Sequence, residues 1–202
     1  MKQQLIGVVV VLALGLCLWP STATAQKFAI KALTEKKLQK LPEEPLYWRI
    51  ETFPTLSDAA AAAGPTGLAA AAAGKVWLFT LGPKGGSTPG GSKMVEIGPV
   101  PPVAAPEYLL RINQAGGPPG AKTPVHTHPG SEAFYVLAGR LSQKTPHGVM
   151  HLEAGQSMPG YGPDTPMEVS SSGTTDLDQF VMFLVDATRP FTSLAEFPSA
   201  QR

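Results

Sequence analysis

The sequence predicts an all-β fold, and three observations carry the prediction. Gly and Pro number 21 each in 202 residues, so turns and helix breakers are spread along nearly the whole chain. Between them lie short apolar runs rich in β-branched and aromatic residues, at the spacing of a sandwich or barrel. No long segment of helical period separates these runs, which excludes a parallel βαβ sheet. Hydrophobic residues make up 43% of the chain and charged ones 15%. That is ample material for one core and too little charge for a disordered chain.

Residues 1–25 read as a secretory signal peptide. Lys2 is the one charge, Leu5 to Trp19 is almost wholly apolar, Pro20 ends the run, and Ala23-Thr24-Ala25 has the small-x-small pattern of a cleavage site. The run is shorter than the ~20 residues that span a bilayer, and Leu16 before Cys17 argues against a lipoprotein. The expectation is an exported protein, periplasmic or extracellular, with a mature chain from Gln26. Cys17 is the one cysteine, so the mature chain has no disulfide. Losing Lys2 from 16 basic residues leaves 15, against 15 acidic ones. A net charge near zero gives no electrostatic case for nucleic acid.

Residues 26–74 read as an extended arm followed by short helices. Leu46 to Ile50 can form one strand, with Leu46, Trp48 and Ile50 on one face. Ala59–Ala63 and Leu68–Ala73 are predicted as two alanine-rich helices split by Gly64-Pro65-Thr66-Gly67, the first capped by Ser57 or Asp58. Lys27, Lys31, Lys36, Lys37 and Lys40 read as a solvated stretch. Residues 75–187 read as the β-barrel: strands are predicted over 76–81, 93–97, 107–112, 125–128, 132–138, 140–144, 149–152, 167–170 and 179–186. Residues 188–202 read as a tail.

The chemistry concentrates near the middle of the chain. His126 and His128 are i and i+2, so on a strand both imidazoles leave the same face. Pro129-Gly130 supplies a turn, and Glu132 opens the next strand. Two imidazoles and a carboxylate on adjacent strands form a facial set with open metal positions, suited to Fe, Mn, Ni or Zn rather than Ca. Binding is expected to weaken as pH falls through the histidine range, near ~6.5. Phe134 and Val136 share the Glu132 face of the strand and read as its neighbours in the pocket.

These residues belong to a spaced pattern: Gly120, five residues, His126-Thr127-His128, three residues, Glu132, six residues, Gly139. It resembles the first motif of the cupin superfamily at every specified position. The resemblance implies a cupin-like double-stranded β-helix (a jelly-roll barrel) with a divalent metal ion inside, here preceded by a short Ala-rich helical N-terminal extension. It implies small-molecule chemistry of oxygenase, isomerase, decarboxylase or lyase type, or non-catalytic binding of a small molecule or metal. A scaffold without a ligand is less consistent with two inward imidazoles and a carboxylate, which are costly to bury unpaired. Homo-oligomers that pair through sheets and arms are also implied, with residues 26–54 as such an arm. The second motif departs from the family. Gly155 to Pro166 has the glycine and the Pro159-Gly160 turn, but Pro166 stands where the ligating histidine is expected. Gln143 and His147 are the candidate additional ligands or pocket residues, beside Phe134. Arg111 and Arg140 are the only arginines in the predicted barrel.

Overall fold

A computed structural model describes residues 27–43 and 45–199; the predicted leader lies outside them. Among the described residues, Gly/Pro-rich breaks separate fourteen strands and one helix: β1 (Ala29–Leu38), β2 (Leu46–Phe53), α1 (Leu56–Ala62), β3 (Gly67–Ala72), β4 (Lys75–Pro83), β5 (Ser92–Ile97), β6 (Tyr108–Gly117), β7 (His126–Thr127), β8 (Gly130–Ala138), β9 (Arg140–Thr145), β10 (Gly148–Glu153), β11 (Ser157–Pro159), β12 (Glu168–Ser171), β13 (Leu177–Asp186) and β14 (Ser193–Leu194).

The strands stack in three layers. The central sheet runs β1-β6-β13-β8-β11. Its long strands are apolar on both faces, and alternation sends successive side chains to opposite layers. Along β13, Phe180, Met182 and Leu184 pack with Trp48, Trp77 and Phe79 of the outer sheet β3-β4-β2-β5. Phe180 meets both rings edge-on, at 5.0 Å from Trp77 and 5.1 Å from Phe79. The intervening residues, Leu177, Val181, Phe183 and Val185, face the other way with Leu141 and Val169 of the small sheet β10-β9-β12. The space between the central and small sheets is a cup, and the β7–β14 pair lies at its rim. Every paired strand is antiparallel.

The chain is thus mostly β, as predicted, but the N-terminal part differs. Only the first alanine-rich segment is helical, and its cap is Thr55, whose hydroxyl accepts from the Asp58 amide at 3.1 Å. The second, predicted as a helix, is strand β3, in register with β4 so that Ala70 lies opposite Trp77. Six residues are too few for a helix to stand on propensity alone, whereas β4 offers a free edge for their backbone groups. The 26–54 arm is likewise not loose. β1 pairs along its whole length with β6, and β2 lies between β4 and β5. Lys31, Lys36 and Lys37 of the lysine stretch belong to β1, an edge strand, where lysines discourage pairing with other chains. Lys36 donates to the carbonyls of Gly64, Pro65 and Gly67, and Lys37 pairs with Glu107 at 2.8 Å.

Candidate functional site

Residue period 2 brings the site together. On β8, Glu132, Phe134 and Val136 face the cup, while Ala133 and Tyr135 face the outer layer. The turn after β8 needs Gly139: its φ is 73°, and a Cβ there would collide with the Asp176 carbonyl. The cup encloses a cavity of about 370 Å³ lined by His126, His128, Glu132 and Phe134. The two imidazoles lie 5.0 Å apart between ring centroids, nearly perpendicular.

Each histidine is oriented by a backbone carbonyl. His126 Nδ1 donates to Pro124 O at 2.8 Å, and His128 Nδ1 donates to Phe191 O at 2.6 Å. With Nδ1 committed as donor, Nε2 is the atom left to act as a lone-pair donor to a metal. Burial pulls the His128 imidazole down to about 4, against the opposing effect of the Phe191 bond, so the ring is neutral at physiological pH. Burial pushes the Glu132 carboxyl up to about 8, and the bond from Gln143 offsets only part of this. Gln143 Nε2 donates to Glu132 Oε1 at 2.6 Å.

The donor chemistry fits a divalent cation: two imidazoles with oriented rings, and a buried carboxyl with no basic partner among the described residues. Among the described residues, however, no three His, Cys, Asp or Glu side chains stand within coordinating range of one point. The three predicted ligands line one cavity without forming a closed cluster. Gln143, a candidate additional ligand, spends its amide N–H on Glu132 and so positions that carboxyl. His147, the other candidate, is not brought to the cavity. It is exposed in the β9–β10 turn and stacks on Tyr161 at 5.2 Å. His151 also points away and bonds Ser142 Oγ at 2.6 Å. Near the place of the missing motif histidine, Met167 pairs through its backbone with His126, and its sulfur lies 3.4 Å from Gln143 Nε2.

Other cavity residues escaped sequence reasoning. Arg111, Asn113 and Gln179 enter from β6 and β13, and Phe191 and Thr192 enter from the segment predicted as a tail. That segment is a strap. Arg189 clamps Asp164 at 2.7 and 3.0 Å, and the Phe191 ring packs on His128, Phe183 and Arg111. The signal for Gln179 was present in the sequence, as an amide within an otherwise apolar strand on the parity of Val181 and Phe183. For Phe191 there was none, because its place depends on how the chain turns after β13.

No curated protein matches the chain significantly. Among solved structures, a cupin-like protein from Thermotoga maritima is 15% identical over 45% of this chain and 68% of its own, with a TM-score of 0.39. An uncharacterized conserved protein with a double-stranded β-helix domain from Klebsiella pneumoniae is 25% identical over 43% and 75%, with a TM-score of 0.37. The DMSP lyase of Ruegeria pomeroyi is 20% identical over 42% of each chain, with a TM-score of 0.36. The chain spans less than half the length of the DMSP lyases it resembles. The family model described as "Cupin domain" matches residues 117–159, the segment that runs from the end of β6 through the His126, His128 and Glu132 pattern to β11. That segment therefore matches a cupin domain.

Proposed function

We propose that the chain is an exported cupin-domain protein that holds a divalent metal ion with His126, His128 and Glu132. The same cup takes in a small molecule, for which a metal bound there would supply Lewis-acid or redox chemistry. One observation carries the reading: a buried carboxyl without a basic partner shares a cavity with two imidazoles whose Nδ1 atoms are already hydrogen-bonded. Isolated buried carboxyls are costly, and a cation removes the cost. Three protein ligands leave positions for substrate, which suits an enzyme of oxygenase, isomerase or lyase type. A second reading, a non-catalytic small-molecule or metal binder, is favoured by Pro166 at the place of the fourth ligand.

Metal analysis of the purified mature protein tests the site. His128→Ala is expected to lose most of the bound metal and His147→Ala to retain it. Equal metal content in wild type and His128→Ala would refute the site. Oxygen uptake or substrate turnover by the loaded protein selects the enzyme; stabilisation by ligand without turnover selects the binder. Export is tested separately: the intact mass of the exported protein is expected to correspond to a chain beginning at Gln26. A full-length mass in the membrane fraction would indicate an uncleaved anchor instead.

A further inference from the structure

The cup contains polar side chains that the metal reading does not use. Gln179 is completely buried on β13, lines the cavity, and has no partner for either its amide N–H group or its carbonyl among the described residues. A buried amide lacking both kinds of partner is uncommon and calls for a specific cause. Its neighbours on that face are Val181 and, across β8, Val136, so the surrounding wall offers it nothing. The second unused group is Arg111 on β6. Its Nε donates to Asn113 Oδ1 at 3.0 Å, and its guanidinium carbon lies 4.5 Å from the Phe191 ring centre. Its nearest carboxylate is Glu35, at 3.6 Å and more than half exposed, a contact too loose and wet to neutralise it. Lys122 at the rim is already paired with Glu168 at 2.9 Å.

The strand registers set these groups in order. Arg111, Phe183 and Glu132 occupy one row across β6, β13 and β8. Two interstrand spacings put the backbones of Arg111 and Glu132 ~10 Å apart, with the Phe183 ring between them. Gln179 lies four residues from Phe183 on the same face of β13, ~13 Å along the strand. The cavity therefore has a cationic end, an apolar floor and a separate buried amide.

We infer that the ligand of this cup is a small organic carboxylate with an apolar body. Its carboxylate pairs with the Arg111 guanidinium, whose planar donors match that geometry. Its body lies over Phe183 and Val181, and a hydrogen-bonding group at its other end meets Gln179. The inference rests on the proposed small-molecule role of the cup, but on residues other than the metal ligands.

Isothermal titration with matched probes tests it. The carboxylates are ω-phenylalkanoates of two to five chain carbons; the controls are the corresponding primary amides, which keep the shape and lack the charge. Metal-loaded and chelator-treated protein are both titrated. At least one carboxylate is expected to bind tenfold or more tightly than its amide, in both forms of the protein. Arg111→Met is expected to abolish that preference with metal content unchanged, and Arg111→Lys to restore part of it. Gln179→Leu is expected to raise the melting temperature of the free protein while weakening tenfold the binding of the same probe carrying a terminal para-hydroxyl. A purely structural Gln179 would move stability in the opposite direction and leave binding alone. Equal binding of acid and amide, or no binding by any probe, overturns the inference. A preference lost on chelation but kept in Arg111→Met also overturns it, because the metal would then hold the carboxylate. Absence of metal with the acid preference intact would sink the metal reading and leave this one standing.

Discussion

Glu132 is the residue on which the behaviour of the site turns. In the unfolded chain its carboxyl ionises in the ordinary range near 4.5, whereas in the fold burial raises it to about 8. Between those values the unfolded state binds fewer protons, so the stability of metal-free protein falls as pH rises. His128 acts in another window. Its depressed value of about 4 means that its contribution is lost as pH falls from 6.5 towards 4 and is constant above. The interval from pH 6.5 to 8 therefore isolates Glu132. Thermal unfolding of chelator-treated protein is expected to show a melting temperature that declines across that interval, and Glu132→Gln is expected to flatten it. A flat profile in wild type would mean that the carboxyl is not desolvated. A metal requires the ionised carboxylate, so affinity should rise by up to about tenfold per pH unit over the same interval. The proton that competes with metal there is the one on Glu132; the expected weakening near the ordinary histidine value does not extend to His128, which stays neutral far below it.

At the scale of elements, β3 shows how packing overrides propensity. Ala69, Ala70 and Ala71 are the best of helix formers, yet they pair with Leu78, Trp77 and Val76 of β4. Small side chains suit this place, since Ala70 is buried beside the large rings of the outer layer. Ala71 is exposed and reports on the conformation directly. Ala71→Thr is expected to leave stability unchanged or raise it by a few tenths of a kcal/mol, as β-branching favours a strand. In a helix the same change would cost about 0.5 kcal/mol. Chemical denaturation distinguishes the two signs. β8 and β13 needed no such correction as strands. Period 2 on β8 puts Glu132 with Phe134 on the cup side as expected, whereas β13 is apolar on both faces and only its neighbours decide that Val181 and Phe183 face the cup.

The whole molecule depends on its N-terminal third more than the motif implies. Phe180, Met182 and Leu184 of the central sheet are buried only because the outer sheet, with β2 and β3, covers them. β1 covers the free edge of β6. A fragment of residues 75–187, the barrel as delimited from sequence, would expose an apolar face far larger than a soluble monomer tolerates. Expressed alone, it is expected to be insoluble or to unfold without cooperativity, while residues 26–202 give a cooperative transition. A soluble, cooperatively folding 75–187 fragment would show that the outer layer is dispensable.

Most strand positions from β4 to β13, though not the short β11, the shared face of Glu132, Phe134 and Val136, the glycines at Gly120 and Gly139 (φ 85° and 73°) and the candidate ligands His126, His128 and Glu132 could be read from local pattern. Each depends on period 2 or on a short spacing along the chain, so neighbouring residues carry the information. Tertiary structure alone decided that an alanine run becomes an edge strand, that the arm closes one sheet and builds another, and that the segment after β13 returns to place Phe191 against His128. It alone also set Arg111, Asn113 and Gln179 around the same cavity while leaving His147 outside. These outcomes depend on contacts between residues far apart in the chain, where burial of shared apolar surface and the search of free backbone groups for partners outweigh what any short window of sequence prefers.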